Sequence, residues 1–319
     1  MEEDSPVTLG IGVICEGGKY VILASDTRAS YGNPAAEGIS PNDRAGKQWD
    51  FHPFKLVASV AGQLGTAHNV VSQLTIEIEK LLALQESGTT LCREHIENAI
   101  NEARIHETGR QYNSASRLYF HVTLQQLLRG KLKHGTIDRY AWEEMKKMVF
   151  SLPLPVEIIL GGFLGDEPIL MKASGKRQTE TDSDPPVFTI GSTGSKRAME
   201  HLNKRGQHIY SGLAQSLLHI HEAAEIARNN DKSIGLCPGY IIMGADFKGF
   251  GQMAHNAPCL TGWAAAYKDR PTTDSLNNDM SRAEAKHCIN VLSPSPRFKY
   301  KRPPKHAARL VSRKSKGRQ

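Results

Sequence analysis

The stretch SPVTLGIG sets a threonine, Thr8, where a short polar leader runs into a strand-like sequence. Thr8 reads either as the first residue of that strand or as a hydroxyl nucleophile exposed by removal of seven residues. Two charged residues follow in order: Asp26, in YVILASDTRAS, and Lys47, in AGKQWDF. An aspartate ending an apolar strand needs a cationic partner if it is buried. Arg28 and Lys47 are the candidates; an Asp-Thr-Arg triplet alone also fits an ordinary surface turn.

Other chemistries find less support. GSTGSK has its glycines too close for a phosphate-binding G-x-x-x-x-G-K-[ST] loop, so no cofactor and no ATP site is expected. His219 and His221, in HIHE, are two apart on a helical pattern and point to different faces, so they read as solvated histidines rather than metal ligands. Cys237, beside Pro238, has no basic neighbour to make it a reactive thiolate. No G-x-S-x-G sequence marks a serine hydrolase of the α/β type.

The elements that must carry these residues follow from periodicity. Leu9, Ile11, Val13 and Cys15 alternate with Thr8, Gly10, Gly12 and Ile14, which is the period of a strand. EGGK turns the chain into a second strand, YVILASD. WDFHPFKLVASVAG reads as a further strand pair. Val70, Leu74, Ile78, Leu81 and Leu82 then recur at helical spacing, and a second helix spans about Leu91 to Thr108. Residues 110–150 read as an irregular, elaborated helix end and loop. PVEIILGGF and PILMKAS are strands joined by the turn LGDE, VFTIG is another, SKRAMEHLNKRG and SGLAQSLLHIHEAAEIARNND are two helices, and GYIIMGAD closes with a strand. Strand runs alternating with helix pairs predict an α+β fold of packed antiparallel sheets rather than a doubly wound parallel sheet.

Composition bounds the rest. The 319 residues are 39% hydrophobic, enough for a sizeable core, with a formal net charge of +7. Ten of the 40 Lys and Arg lie between Val291 and Gln319, where there is no acid, so the remainder is slightly acidic. From about Ala254 onward apolar residues are few, and 254–319 is expected to be a disordered basic tail with at most weak, salt-sensitive attraction for nucleic acid. Five cysteines without a CxxC pair, and no secretory signal or membrane span, predict a reducing, cytoplasmic setting.

TLGIGVICEGGKYVILASDTRAS, then Lys47, SVAG, FTIGSTGS and a late NDKS resemble, in that order, the proteasome β-subunit family of N-terminal-nucleophile hydrolases. The resemblance covers roughly residues 7–253, places Thr8 on the nucleophile when two extra residues are allowed in KYVILASD, and implies a four-layer α/β/β/α sandwich. Residues 1–7 would be a leader and 8–253 the hydrolase domain, enlarged near 110–150. It further implies that Thr8 supplies Oγ and, once first in the chain, its α-amine as general base, that Lys47 sets a positive charge beside it, and that Asp26 fixes Lys47. Gly62 would offer its N–H to the oxyanion, and Arg28 would be structural support. The family's serine falls on Ser192 or Thr193, its late aspartate on Asp231, and the following serine on Ser233 with a one-residue shift.

One departure bears on processing. Family members that cleave themselves have glycine before the threonine, whereas Pro6-Val7 precede Thr8; a β-branched valine resists the unusual backbone that exposes the scissile carbonyl. The resemblance thus implies a threonine-type endopeptidase acting on peptides or unfolded protein in a homo-oligomeric ring, with any ATP-driven unfoldase a separate partner. The alternatives are a catalytically silent ring subunit, an amidohydrolase on small amides, and a nucleic-acid-binding protein working through the tail.

Overall fold

The computed structural model describes residues 9–26, 47–51, 54–132, 135–174, 180–181, 187–191, 193–231, 234–237, 239–247, 250–267 and 279–292, with the backbone alone at a few of them, Thr193 included. In chain order the elements are β1 (Leu9–Cys15), β2 (Tyr20–Ser25), β3 (Gln48–Asp50), β4 (Lys55–Gly62), α1 (Leu64–Glu86), α2 (Arg93–Phe120), α3 (Leu124–Arg129), β5 (Lys131–Leu132), β6 (Gly135–Thr136) and α4 (Arg139–Phe150). There follow β7 (Val156–Leu164), β8 (Glu167–Ser174), β9 (Glu180–Thr181), β10 (Val187–Gly191), α5 (Thr193–Lys204), α6 (Leu213–Asn230), β11 (Gly239–Gly244), β12 (Phe250–Ala254), α7 (Pro258–Ala266), α8 (Asp279–Cys288) and β13 (Asn290–Leu292).

Two antiparallel sheets organise them, ordered β10-β1-β2-β11-β12-β13 and β3-β4-β7-β8-β9. The alternation in β1 sorts its side chains between two cores. Leu9, Ile11, Val13 and Cys15 join the core shared with α5 and α6, while Ile14 joins Ile159, Phe163 and Leu170 between the sheets. Glycine is needed on that second face: a Cβ at Gly12 would meet Ile159 and Leu170 side-chain carbons at 2.8 Å. The opposite face of the second sheet packs Val60, Ile158 and Leu160 against Val70 and Leu74 of α1 and Ile96 and Ile100 of α2. Among the described residues, no helix is long and apolar enough to cross a membrane.

Three expectations are corrected, two of them about the elements. Residues 110–150 are regular: α2 continues to Phe120, Thr123 and Gln126 cap α3 reciprocally, and Asp138 caps α4 by accepting from Tyr140 and Ala141 N–H. Ala115, Val122, Leu127 and Val149 form a satellite core there, too small to impose a long period on the sequence. The segment from Ala254 is also ordered through 267 and again over 279–292. Cys259, Leu260, Trp263, Ala285 and Ile289 enter the main core, and β13 pairs with β12. Its charges find partners within the fold: Arg282 pairs with Glu16 at 2.9 Å and Lys286 with Asp246 at 2.9 Å. Residues 293–319, the most basic part, lie outside the described residues.

The histidines of HIHE are buried rather than solvated, because α6 is packed nearly all round. His219 Nδ1 lies 2.8 Å from Gln207 Oε1, and the Tyr240 hydroxyl joins His221 and His255 at 3.0 and 3.1 Å. Burial lowers the pKa of His219 from 6.5 to about 4, and lowers those of His221 and His255 as well. The folded chain keeps these rings neutral where the unfolded chain takes up protons. Their contribution to stability is therefore complete above pH 6.5 and lost as pH falls toward 4. The urea midpoint should hold above pH 6.5 and fall between about 6.5 and 4, with a shallower fall in His219→Gln. A midpoint flat to the lower limit would contradict the burial.

Candidate functional site

The site forms where β1 begins and β2 ends. Asp26, 1% exposed, is the residue after β2, and its backbone N–H donates to Leu9 O at 3.0 Å. Among the described contacts, its carboxylate accepts from three donors in three parts of the chain. Oδ1 accepts from Leu9 N at 3.0 Å and from Lys47 Nζ at 2.9 Å, and Oδ2 accepts from Gly235 N at 3.0 Å. Lys47 is buried too, and its carbonyl accepts from Val60 N of β4 at 3.1 Å. Of the two cations proposed for Asp26, Lys47 is thus in direct contact. Arg28 lies outside the described residues.

A buried ion pair is weak as a source of stability but strong as a constraint, because either partner alone is a stranded charge. Here it fixes the first residue of β1, the end of β2, the segment entering β3 and the turn after α6 onto one carboxylate.

The remaining predicted residues sit around that point. Gly62 ends β4, two residues beyond Val60, with φ +124°. A Cβ there would meet Pro155 O at 2.2 Å, so the position admits only glycine. Gly191, ending β10, is the cross-strand partner of Leu9, which brings the residue before Ser192 beside the residue after Thr8. Gly194, next to Thr193, is packed so tightly that a Cβ would meet Ile234 Cδ1 at 2.1 Å. Asp231 follows α6, and its carbonyl accepts from Ile234 N at 3.0 Å. Ile234 therefore packs on α5 while Gly235 reaches Asp26. Thr8, Ser192 and Ser233 lie outside the described residues, and of Thr193 only the backbone is described.

Two participants escaped the sequence reading. Gly235 acts through its backbone N–H, for which sequence carries no signal. Glu157 on β7 accepts from Gly191 N at 2.6 Å; its signal is a carboxylate inside the apolar run PVEIILGGF. Cys237 is a buried thiol whose pKa burial pushes up to about 12, which suits an inert residue. No group of three or more His, Cys, Asp or Glu able to hold a metal ion occurs among the described residues.

This geometry can be set beside known proteins. No protein-family model matches the chain, and no curated protein does. Among solved structures, the Anbu (Gly-1) mutant from Hyphomicrobium sp. strain MC1 superposes with a TM-score of 0.54 at 16% identity, covering 86% of this chain and 97% of that one. The chain thus shares the fold of that protein over most of both lengths. At that identity the likeness is one of fold, and the chemistry must be argued from the residues themselves.

The ion pair makes a stability prediction. Lys47→Met leaves the buried Asp26 carboxylate without its ammonium and should cost about 3–5 kcal/mol. Asp26→Asn with Lys47→Met should cost less than the two single changes added together. Chemical denaturation of the four forms measures this, and strictly additive losses would contradict the coupling.

Proposed function

We propose that the chain is a threonine-type endopeptidase of a proteasome-like assembly, with Thr8 as its N-terminal nucleophile. The observation that carries this reading is the buried Asp26–Lys47 pair whose shared oxygen also holds Leu9 N–H, one peptide bond from Thr8. Lysine and aspartate are almost never fully buried unless paired, and this pair sets its charge beside the start of β1.

Removal of residues 1–7 would free the Thr8 α-amine, whose ordinary pKa of about 7.7–8.0 suits proton exchange near neutrality. The amine, through water, would take the Oγ proton as Oγ attacks the substrate carbonyl. The Lys47 ammonium would favour the deprotonated forms of its neighbours, and Asp26 would hold it in place. Gly62 N–H would stabilise the oxyanion. Collapse would expel the substrate amine, carrying the proton with it, and leave an ester on Thr8; water would then hydrolyse the ester and restore the hydroxyl. Ser192 or Thr193, Asp231 and Ser233 would orient the amine and water, and Arg28 would support the loop after β2.

The proposal includes the four-layer α/β/β/α sandwich, a homo-oligomeric ring, peptide or unfolded-protein substrates and, for folded substrates, a separate unfoldase. A second reading, the catalytically silent ring subunit, is favoured by one feature alone, Pro6-Val7 where a self-cleaving chain would carry glycine.

N-terminal sequencing of purified protein separates the two and should begin at Thr8. Thr8→Ala should abolish peptide turnover while leaving the assembled mass intact, and Lys47→Ala should abolish turnover in the protein that still assembles. Full turnover in Thr8→Ala would overturn the proposal.

A further inference from the structure

Glu157 is unaccounted for by this reaction scheme. It shares the parity of Ile159, Gly161 and Phe163 on β7, the face turned toward the first sheet. Its lateral neighbours, Ala61 on β4 and Ser174 on β8, carry no charge. From this half-buried place its Oε2 crosses the gap between the sheets to accept Gly191 N–H at 2.6 Å. It thereby grips the end of β10, immediately before Ser192 and opposite Leu9.

A brace of that kind needs only an acceptor, and glutamine would serve. A carboxylate held part-way inside a sandwich calls for a cation. Among the described residues none lies within ion-pair distance of it. Of the charged groups nearby, Lys47 and Asp26 are engaged with each other, Lys172 stands on the same face of β8, and Arg104 of α2, on the other side of the sheet, donates to the carbonyl of Ser174, the cross-strand partner of Glu157. β1 turns Gly10 toward this gap and β10 ends there in Gly191, so neither brings a charge.

We infer that Glu157 is a positioning residue for the reaction proposed above, anchoring the β10 end and supplying the counter-charge for the freed Thr8 ammonium. Thr8 is bonded to Leu9, Leu9 is paired with Gly191, and Gly191 is bonded to the carboxylate. Cross-strand spacing and that hydrogen bond keep the Leu9 Cα within about 10 Å of the carboxylate, and Thr8 is the next residue in sequence. Lys47 favours loss of the amine proton and Glu157 favours its retention, so the two opposed charges would hold the base near its working range.

The inference rests on the threonine-peptidase reading, and the experiment keeps the two apart. Glu157→Gln retains the acceptor for Gly191 N–H and removes only the charge. In the mature assembly its kcat/KM–pH profile should have the acid limb displaced to lower pH by about half a unit, with KM little changed. Glu157→Asp, which keeps the charge but shortens the reach, should lose kcat while its acid limb stays at the wild-type position. Trace acetylation of the N-terminal amine against pH gives the same shift without turnover. An acid limb in Glu157→Gln that coincides with wild type, or one in Glu157→Asp displaced as in Gln, would overturn the role of Glu157. Turnover by Thr8→Ala, or a mature chain that keeps residues 1–7, would instead overturn the reading beneath it.

Discussion

The carboxylate of Asp26 is the constraint on which the site depends. Buried and charged, it is stable only when surrounded by donors, and the chain supplies them from Leu9, Lys47 and Gly235. These three lie far apart in sequence, so the fold must be complete before the carboxylate is satisfied. An ion pair of this kind contributes little net stability; its value is that it permits one arrangement of four segments and penalises the others. Any reaction at the start of β1 inherits that geometry.

The two sheets make the arrangement possible by approaching closely at β1. Gly10 and Gly12 remove side chains where Ile190, Ile159 and Leu170 need space, and β1 becomes buried on both faces. On the outer side α6 covers the same strand, and Gly235, which follows it, donates to Asp26. The C-terminal part of the chain braces this half of the molecule, with α8 held by Glu16 and Asp246 and β13 extending the sheet. Glu157 closes the opposite side of the gap. The site is thus framed by both sheets.

Much of this was legible in the sequence, and the reasons differ by element. The hairpin β1–β2, the strand pair β7–β8 and the helices α1, α5 and α6 follow from clean periodicity over long runs. Asp26 stood out because an acid ending an apolar strand demands a partner, although sequence left that partner open between Arg28 and Lys47. The helical excursion at 110–150 was missed because its short elements rest on a small satellite core. The stretch after Ala254 looked disordered because sparse apolar residues hide the ion pairs that compensate for them. His219 and His221 looked solvated since a burial that encloses a whole helix leaves no polar face to read. Gly235 could not be found at all, because its contribution is a backbone N–H.

The central claim is that this carboxylate-held lysine serves an acyl transfer at Thr8. Acid-quenching the protein during turnover of a slowly deacylated peptide ester, then mapping the added mass, tests it most directly. The account predicts an acyl group on the peptide that begins at Thr8, accumulating in wild type and absent from Asp26→Asn. Acylation at another residue, or undiminished acylation of Thr8 in Asp26→Asn, would contradict it.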